Sequence, residues 1–141
     1  MRIALASDHA GFRYKSMLGW LLTSRGYLVI DFGTDSEAPV DYPDIVQPAA
    51  EAVATGACDR GIVVGGSGQG EAMAANRRSG VRCALCWNEE SARLARAHND
   101  ANMLALGQRL LPEDLMRSIV DTWLGTPFDG GRHARRVALL D

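Results

Sequence analysis

The densest run of chemically useful residues is Gly65-Gly66-Ser67-Gly68-Gln69-Gly70-Glu71. Two β-branched residues, Val63 and Val64, lead into it, and Ala72-Met73-Ala74-Ala75-Asn76 follows with helical character. Strand, glycine loop and helix together aim several backbone N–H groups at one point, at the positive end of a helix dipole. Glycine suits such a loop because a residue without Cβ turns sharply and lets a ligand approach the backbone. The cradle fits a phosphate, or an oxyanion formed only during reaction, and Glu71 supplies a carboxylate beside it. A tight turn chosen for packing is the bland alternative. The nucleotide-hydrolase loop G-x-x-x-x-G-K-[ST] is excluded by the missing lysine, and Gly66, Gly68 and Gly70 break the dinucleotide spacing G-x-G-x-x-G. The loop is therefore a generic anion nest, whose purpose depends on residues elsewhere.

Those residues are few. Asp8 and His9 follow an apolar run; Asp8 is either an acid/base group or the cap of the next helix. His98 falls at the end of a helical stretch, where the dipole favours its protonated form; it is poised either for proton transfer or for capping carbonyls. Arg109 follows another apolar run and is either an anion contact or half of a surface ion pair. Arg132 and Arg136 are four apart and share a helix face, forming either a phosphate clamp or a solvated basic tail. Cys83 and Cys86 match C-x-x-C, but the segment reads as a strand, where positions three apart face opposite sides; the core reading is preferred to redox or zinc chemistry. No His/Cys/Asp/Glu cluster has metal-ligand spacing, so neither a metal nor another cofactor is expected.

The elements that must position these groups alternate along the chain. Strands are expected at 3–6, 27–32, 61–64, 81–85 and 103–106. Helices are expected up to about Ser24, over 44–55, after the glycine loop, from the cap Asn88 to about His98, over 112–124 and through the 131–140 tail. Gly26 ends the first. Alternation of this kind predicts an α/β fold: a single αβα domain over 1–141 with a five-stranded parallel sheet. Ligands bind beyond the carboxyl ends of such strands. Asp8, His9, the glycine loop with Glu71, and Arg109 all fall on that edge.

Composition is ordinary for a globular domain, with 47% hydrophobic and 23% charged residues. A net charge of −2 gives no electrostatic case for nucleic acid or a membrane surface. The start Met1-Arg2-Ile3 shows no export signal, and three cysteines, an odd number, point to reduced thiols in the cytoplasm.

Five motifs in register carry a resemblance covering essentially the whole chain. They are Ser7-Asp8-His9-Ala10-Gly11, Asp41-Tyr42-Pro43-Asp44, the glycine loop with Ala74-Ala75-Asn76, Arg96-Ala97-His98-Asn99, and Gly131-Arg132-His133. Together they resemble the ribose-5-phosphate isomerase B family, which also holds allose- and galactose-6-phosphate isomerases. The resemblance implies a Rossmann-like domain, a homodimer with sites shared between chains (or a tetramer), and metal-independent interconversion of a phosphorylated aldose and ketose. It implies that Asp8 and His98 open the sugar ring, and that Ser67 with the amides of Gly66, Gly68, Gln69 and Gly70 holds the enediolate. His9, Arg109, Arg132 and Arg136 would grip the phosphate, Asn99 the sugar hydroxyls, and Tyr42 would wall the pocket.

One position departs from the family pattern. Many members carry a cysteine base where this chain has Gly65, and a subgroup uses a glutamate at the helix start, where this chain has Glu71. The expected activity is ribose 5-phosphate to ribulose 5-phosphate. The rivals are isomerisation of a tetrulose 4-phosphate or allose 6-phosphate, and a sugar-phosphate-binding module that does no chemistry.

Overall fold

A computed structural model describes all 141 residues. The strands are β1 (Arg2–Ser7), β2 (Leu28–Asp31), β3 (Arg60–Gly65), β4 (Cys83–Leu85) and β5 (Met103–Gly107). The helices are α1 (Phe12–Ser24), α2 (Tyr42–Ala54), α3 (Gln69–Ala75), α4 (Glu89–Asn99), α5 (Glu113–Gly125) and α6 (Arg132–Ala138). A 3-10 turn, His9–Gly11, separates β1 from α1. All strands are parallel, in the order β2-β1-β3-β5-β4.

Helices cover both faces, which is why the central strands are apolar throughout rather than alternating. Leu18 and Leu22 of α1 pack with Ile119 and Trp123 of α5 on Ile3, Leu5, Ile62 and Leu104. Val46, Ala49 and Val53 of α2 and Ala74 and Ala75 of α3 pack on Ala4, Ala6, Val63 and Ala105. Cys83 belongs to the second layer and Cys86 to the first, and neither is in a disulfide. The two thiols thus face opposite layers, as the strand reading requires, although β4 ends at Leu85, before Cys86.

Boundaries differ from the sequence reading where edges and prolines intervene. α2 starts two residues before the expected Asp44, because Pro43 fits the first helical turn without needing a donor. β2 and β4 are shorter than expected; each is a sheet edge and pairs on one side only. Gly26, with φ +87°, ends α1 as expected. Asn88 caps α4 by accepting from the Ser91 amide at 2.7 Å. No helix is long and apolar enough to cross a membrane.

The chain runs outward from β1 to β2, returns across to β3, crosses to β4 at the far edge, and comes back to place β5 between β3 and β4. The reversal opens a crevice beyond the carboxyl ends of β1 and β3. Register aligns Ser7 with Val64 and Gly65 with Gly107, so three strands end at one level.

Candidate active site

The residues after β1, β3 and β5 meet at that level. Asp8 donates its amide to the Val64 carbonyl at 3.3 Å, and the amides of Gln108 and Arg109 bond the carbonyls of Gly65 and Gly66 at 2.8 and 3.0 Å. The three loops are thus laced together by backbone bonds. Gly68 takes φ +81° to begin α3, and a Cβ there would meet Leu106 at 2.8 Å. Arg109 lies over Gly66, its Nη1 2.9 Å from where a side chain would start, and the Tyr42 ring covers Gly70 in the same way. Ser67 and Gln69 are exposed at the loop tip.

Gly65 has a more particular role. A Cβ at this position would fall on the Glu71 carboxyl group. Glu71 therefore places its oxygens in the volume that a side chain at position 65 would fill. It is 3% exposed. Its proton affinity is raised, chiefly by burial and further by the neighbouring Asp8, against a lowering from its own backbone amide. A carboxylate so placed is a stronger base than an exposed one.

Asp8 is 8% exposed, and its Oδ1 accepts the amides of Ala10 and Gly11 at 2.9 and 3.1 Å. The capping alternative is thus realised as a bond. His9 Nδ1 accepts the Val40 amide at 3.1 Å, which leaves the ring proton on Nε2 as a donor. Nothing in the sequence announced Val40 as the partner that orients His9.

His98, Asn99, Arg132 and Arg136 do not join this group. The Asn99 and Asp100 carbonyls accept from Arg82 Nε at 3.1 Å, just before β4, and the Ala101 amide bonds Ala95 just before β5. These residues stand beyond the amino ends of β4 and β5, about 13 Å along the strands from the glycine loop at ordinary strand rise. His98 lies in the last turn of α4, as expected, and stacks on His133 with ring centres 4.2 Å apart and planes 11° apart. Burial, then His98, Arg132 and Arg136, hold the His133 imidazole below its ordinary range, opposed by Asp129. Donor atoms of His98, Asp129 and His133 come within 4.8 Å of one another, a grouping invisible in linear spacing.

Between the two regions a groove of about 810 Å³ follows the open edge of β4, lined by Cys83, Leu85, Trp87, Leu94, Asn99 and Leu140. Leu85, Cys86 and Trp87 also line a small cavity of about 60 Å³ under Ser67 and Gly107. One continuous edge thus joins the two groups.

An αβα sheet with an anion nest, a buried carboxylate and a histidine donor is the equipment of an isomerase acting on a phosphorylated sugar. The family model described as Ribose/Galactose Isomerase matches residues 3–140, and the chain belongs to that family. It is 45% identical over 139 residues to Ribose-5-phosphate isomerase B of Escherichia coli strain K12, covering 99% of this chain and 93% of the relative. The structure of Clostridium thermocellum Ribose-5-Phosphate Isomerase B superposes with a TM-score of 0.98 at 52% identity, over 99% of this chain and 95% of that one. Ribose-5-phosphate Isomerase B from Mycoplasma genitalium, solved with bound ribulose 5-phosphate, gives 0.95 at 38%, over 99% and 93%.

Proposed function

We propose that the chain interconverts ribose 5-phosphate and ribulose 5-phosphate, with Glu71 as the base that moves the carbon-bound proton. The observation that carries this is the Glu71 carboxyl over Gly65, buried beside a loop of backbone donors. His98 and Asp8 open the furanose by moving a proton between the anomeric hydroxyl and the ring oxygen. Glu71 then takes the C2 proton of the aldose while charge moves onto O1, where Ser67 and the amides of Gly66 through Gly70 stabilise it. Return of that proton to C1 gives the ketose. His9 Nε2, Arg109, Arg132 and Arg136 hold the phosphate, Asn99 the sugar hydroxyls, and Tyr42 closes the pocket wall.

In this reading the working unit is a homodimer. His98, Asn99 and the two arginines stand at the wrong end of their own sheet to serve Glu71. A two-fold axis across the β4 edge brings the amino end of one strand against the carboxyl end of its mate, making an isologous interface. Exposed Trp87 and Met73, each 64% accessible, and the groove along β4 favour that face.

Complementation tests catalysis and assembly together. Glu71→Gln and His98→Ala damage different halves of a shared site. Neither homodimer should isomerise ribose 5-phosphate efficiently, but random remixing should restore roughly a quarter of wild-type activity, because half the dimers carry one intact site. No recovery after verified remixing rejects shared sites. Wild-type protein inactive on ribose 5-phosphate but active on a four- or six-carbon sugar phosphate rejects the substrate alone; inactivity on all three with binding retained indicates a binding module.

A further inference from the structure

We infer that Asp8 is the partner carboxyl of Glu71, and that the two hold the migrating proton between them during isomerisation. This rests on the reading of Glu71 as the base, and gives Asp8 a positioning role separate from ring opening.

The placement is set by backbone. Asp8 hangs from the Val64 carbonyl, one residue before the Gly65 surface that Glu71 covers. Gly11 presses so closely on the same carbonyl that any side chain there would collide with it, which pins the turn carrying Asp8 against β3. With Oδ1 already accepting the Ala10 and Gly11 amides, the Asp8 carboxyl is fixed in place. The Asp8 charge raises the proton affinity of Glu71, and two neighbouring carboxyl groups can share a hydrogen bond only when a proton lies between them. Both side chains are more than nine-tenths buried, so water does little to separate the like charges once that proton leaves.

The other groups around Glu71 do not take this place. From β4 comes the Cys83 thiol, which burial keeps protonated. The Tyr42 phenol, from α2, packs on Gly70. Arg109, beyond β5, contributes a positive charge, but lies over Gly66. His9, next to Asp8, is turned to the Val40 amide. Asp8 is the anion adjoining Glu71.

The consequence follows the proton. Before reaction Glu71 must be ionised, and the nearby negative charge makes that form eager for a proton. The C2 proton then lands on Glu71, the hydrogen bond to Asp8 forms, and the proton passes on to C1 in competition with exchange into solvent. Net charge on the pair goes from −2 to −1 and back.

Asp8→Asn tests this, because the amide oxygen can still accept from Ala10 and Gly11 while its NH₂ faces Glu71 as a donor. The acidic limb of kcat/KM should move to lower pH, and above that limb C2-proton exchange should slow severalfold, on an acyclic four-carbon aldose phosphate as well as on ribose 5-phosphate. An acidic limb that stays in place, or a loss confined to the cyclic substrate, overturns the proposal. Should the variant fail to fold, carboxyl ¹³C titration of the wild type decides. Glu71 should titrate above the ordinary glutamate range in two coupled steps; a single step at the ordinary value overturns the pairing. That titration remains readable even if ribose 5-phosphate proves not to be the substrate.

Discussion

The glycine-loop edge and the His98 corner draw on similar residue types, yet the fold treats them in opposite ways. At the loop edge the functional carboxyls are buried and tied down: Glu71 over Gly65, Asp8 in a backbone cap, with His9 oriented by Val40. At the other corner Asn99, Arg132 and Arg136 are exposed, and the His98–His133 stack is the main order among the functional side chains. Proton transfer from carbon needs a base whose distance and basicity are fixed before substrate arrives. Gripping a phosphate needs long cations that fold onto it afterwards. In the proposed dimer the two regions are the rigid and the adaptable halves of one site, divided between opposite ends of the sheet.

The largest effect should come from the rigid half. Glu71→Gln keeps shape and hydrogen bonding but removes the proposed base. It should fold, bind substrate, and lose at least about 10²-fold in kcat together with exchange of the C2 proton into solvent. Near-normal exchange, followed by ¹H NMR in D₂O, would transfer the role to Asp8 or another group and dissolve the contrast drawn here.

How much of this was legible in the sequence follows the same division. The fold was open to reading because helical and strand periods alternate cleanly and caps such as Asn88 and Gly26 mark the ends. The loop edge was equally open, since parallel strands must deliver Asp8, His9, Glu71 and Arg109 to their carboxyl ends. Separation of His98, Asn99, Arg132 and Arg136 from that edge follows from where α4 ends, but the chosen strand order and the exposed β4 edge are tertiary facts. Side-chain contacts that no motif announces carried no signal: Asp129 beside His98 and His133, Val40 on His9, and the Glu71 carboxyl in the space above Gly65. Pro43 concealed the true start of α2, because a proline between polar residues reads as loop as readily as first helical turn.

A middle-sized effect belongs to the adaptable half. Arg132→Ala or Arg136→Ala should raise KM for ribose 5-phosphate about 10- to 100-fold, the worth of a charge-assisted hydrogen bond, with kcat changed far less. Inorganic phosphate should compete with substrate in the wild type and weakly in either variant. Unchanged steady-state constants would make these arginines a solvated tail and confine the site to the loop edge.

The smallest effect compares the two halves in stability. Burial raises the proton affinity of Glu71, so its ionised form, the one the proposed base role requires, strains the native state. The sign follows from proton counts. Between the ordinary glutamate range and the raised native value the folded chain holds a proton that the unfolded chain has released, so stability falls as pH rises through that window. Above it the penalty is constant; below it both states are protonated and the penalty is gone. Glu71→Gln should therefore melt above wild type at neutral pH, and the gain should shrink on acidification and vanish below about pH 4. Arg136→Ala, on an exposed face, should stay within about 0.5 kcal/mol of wild type at every pH. Calorimetry across that range reads both. A Glu71→Gln variant no more stable than wild type at pH 7 would mean that the carboxylate is well solvated where it stands, and the rigid half would lose the feature that separates it from the adaptable one.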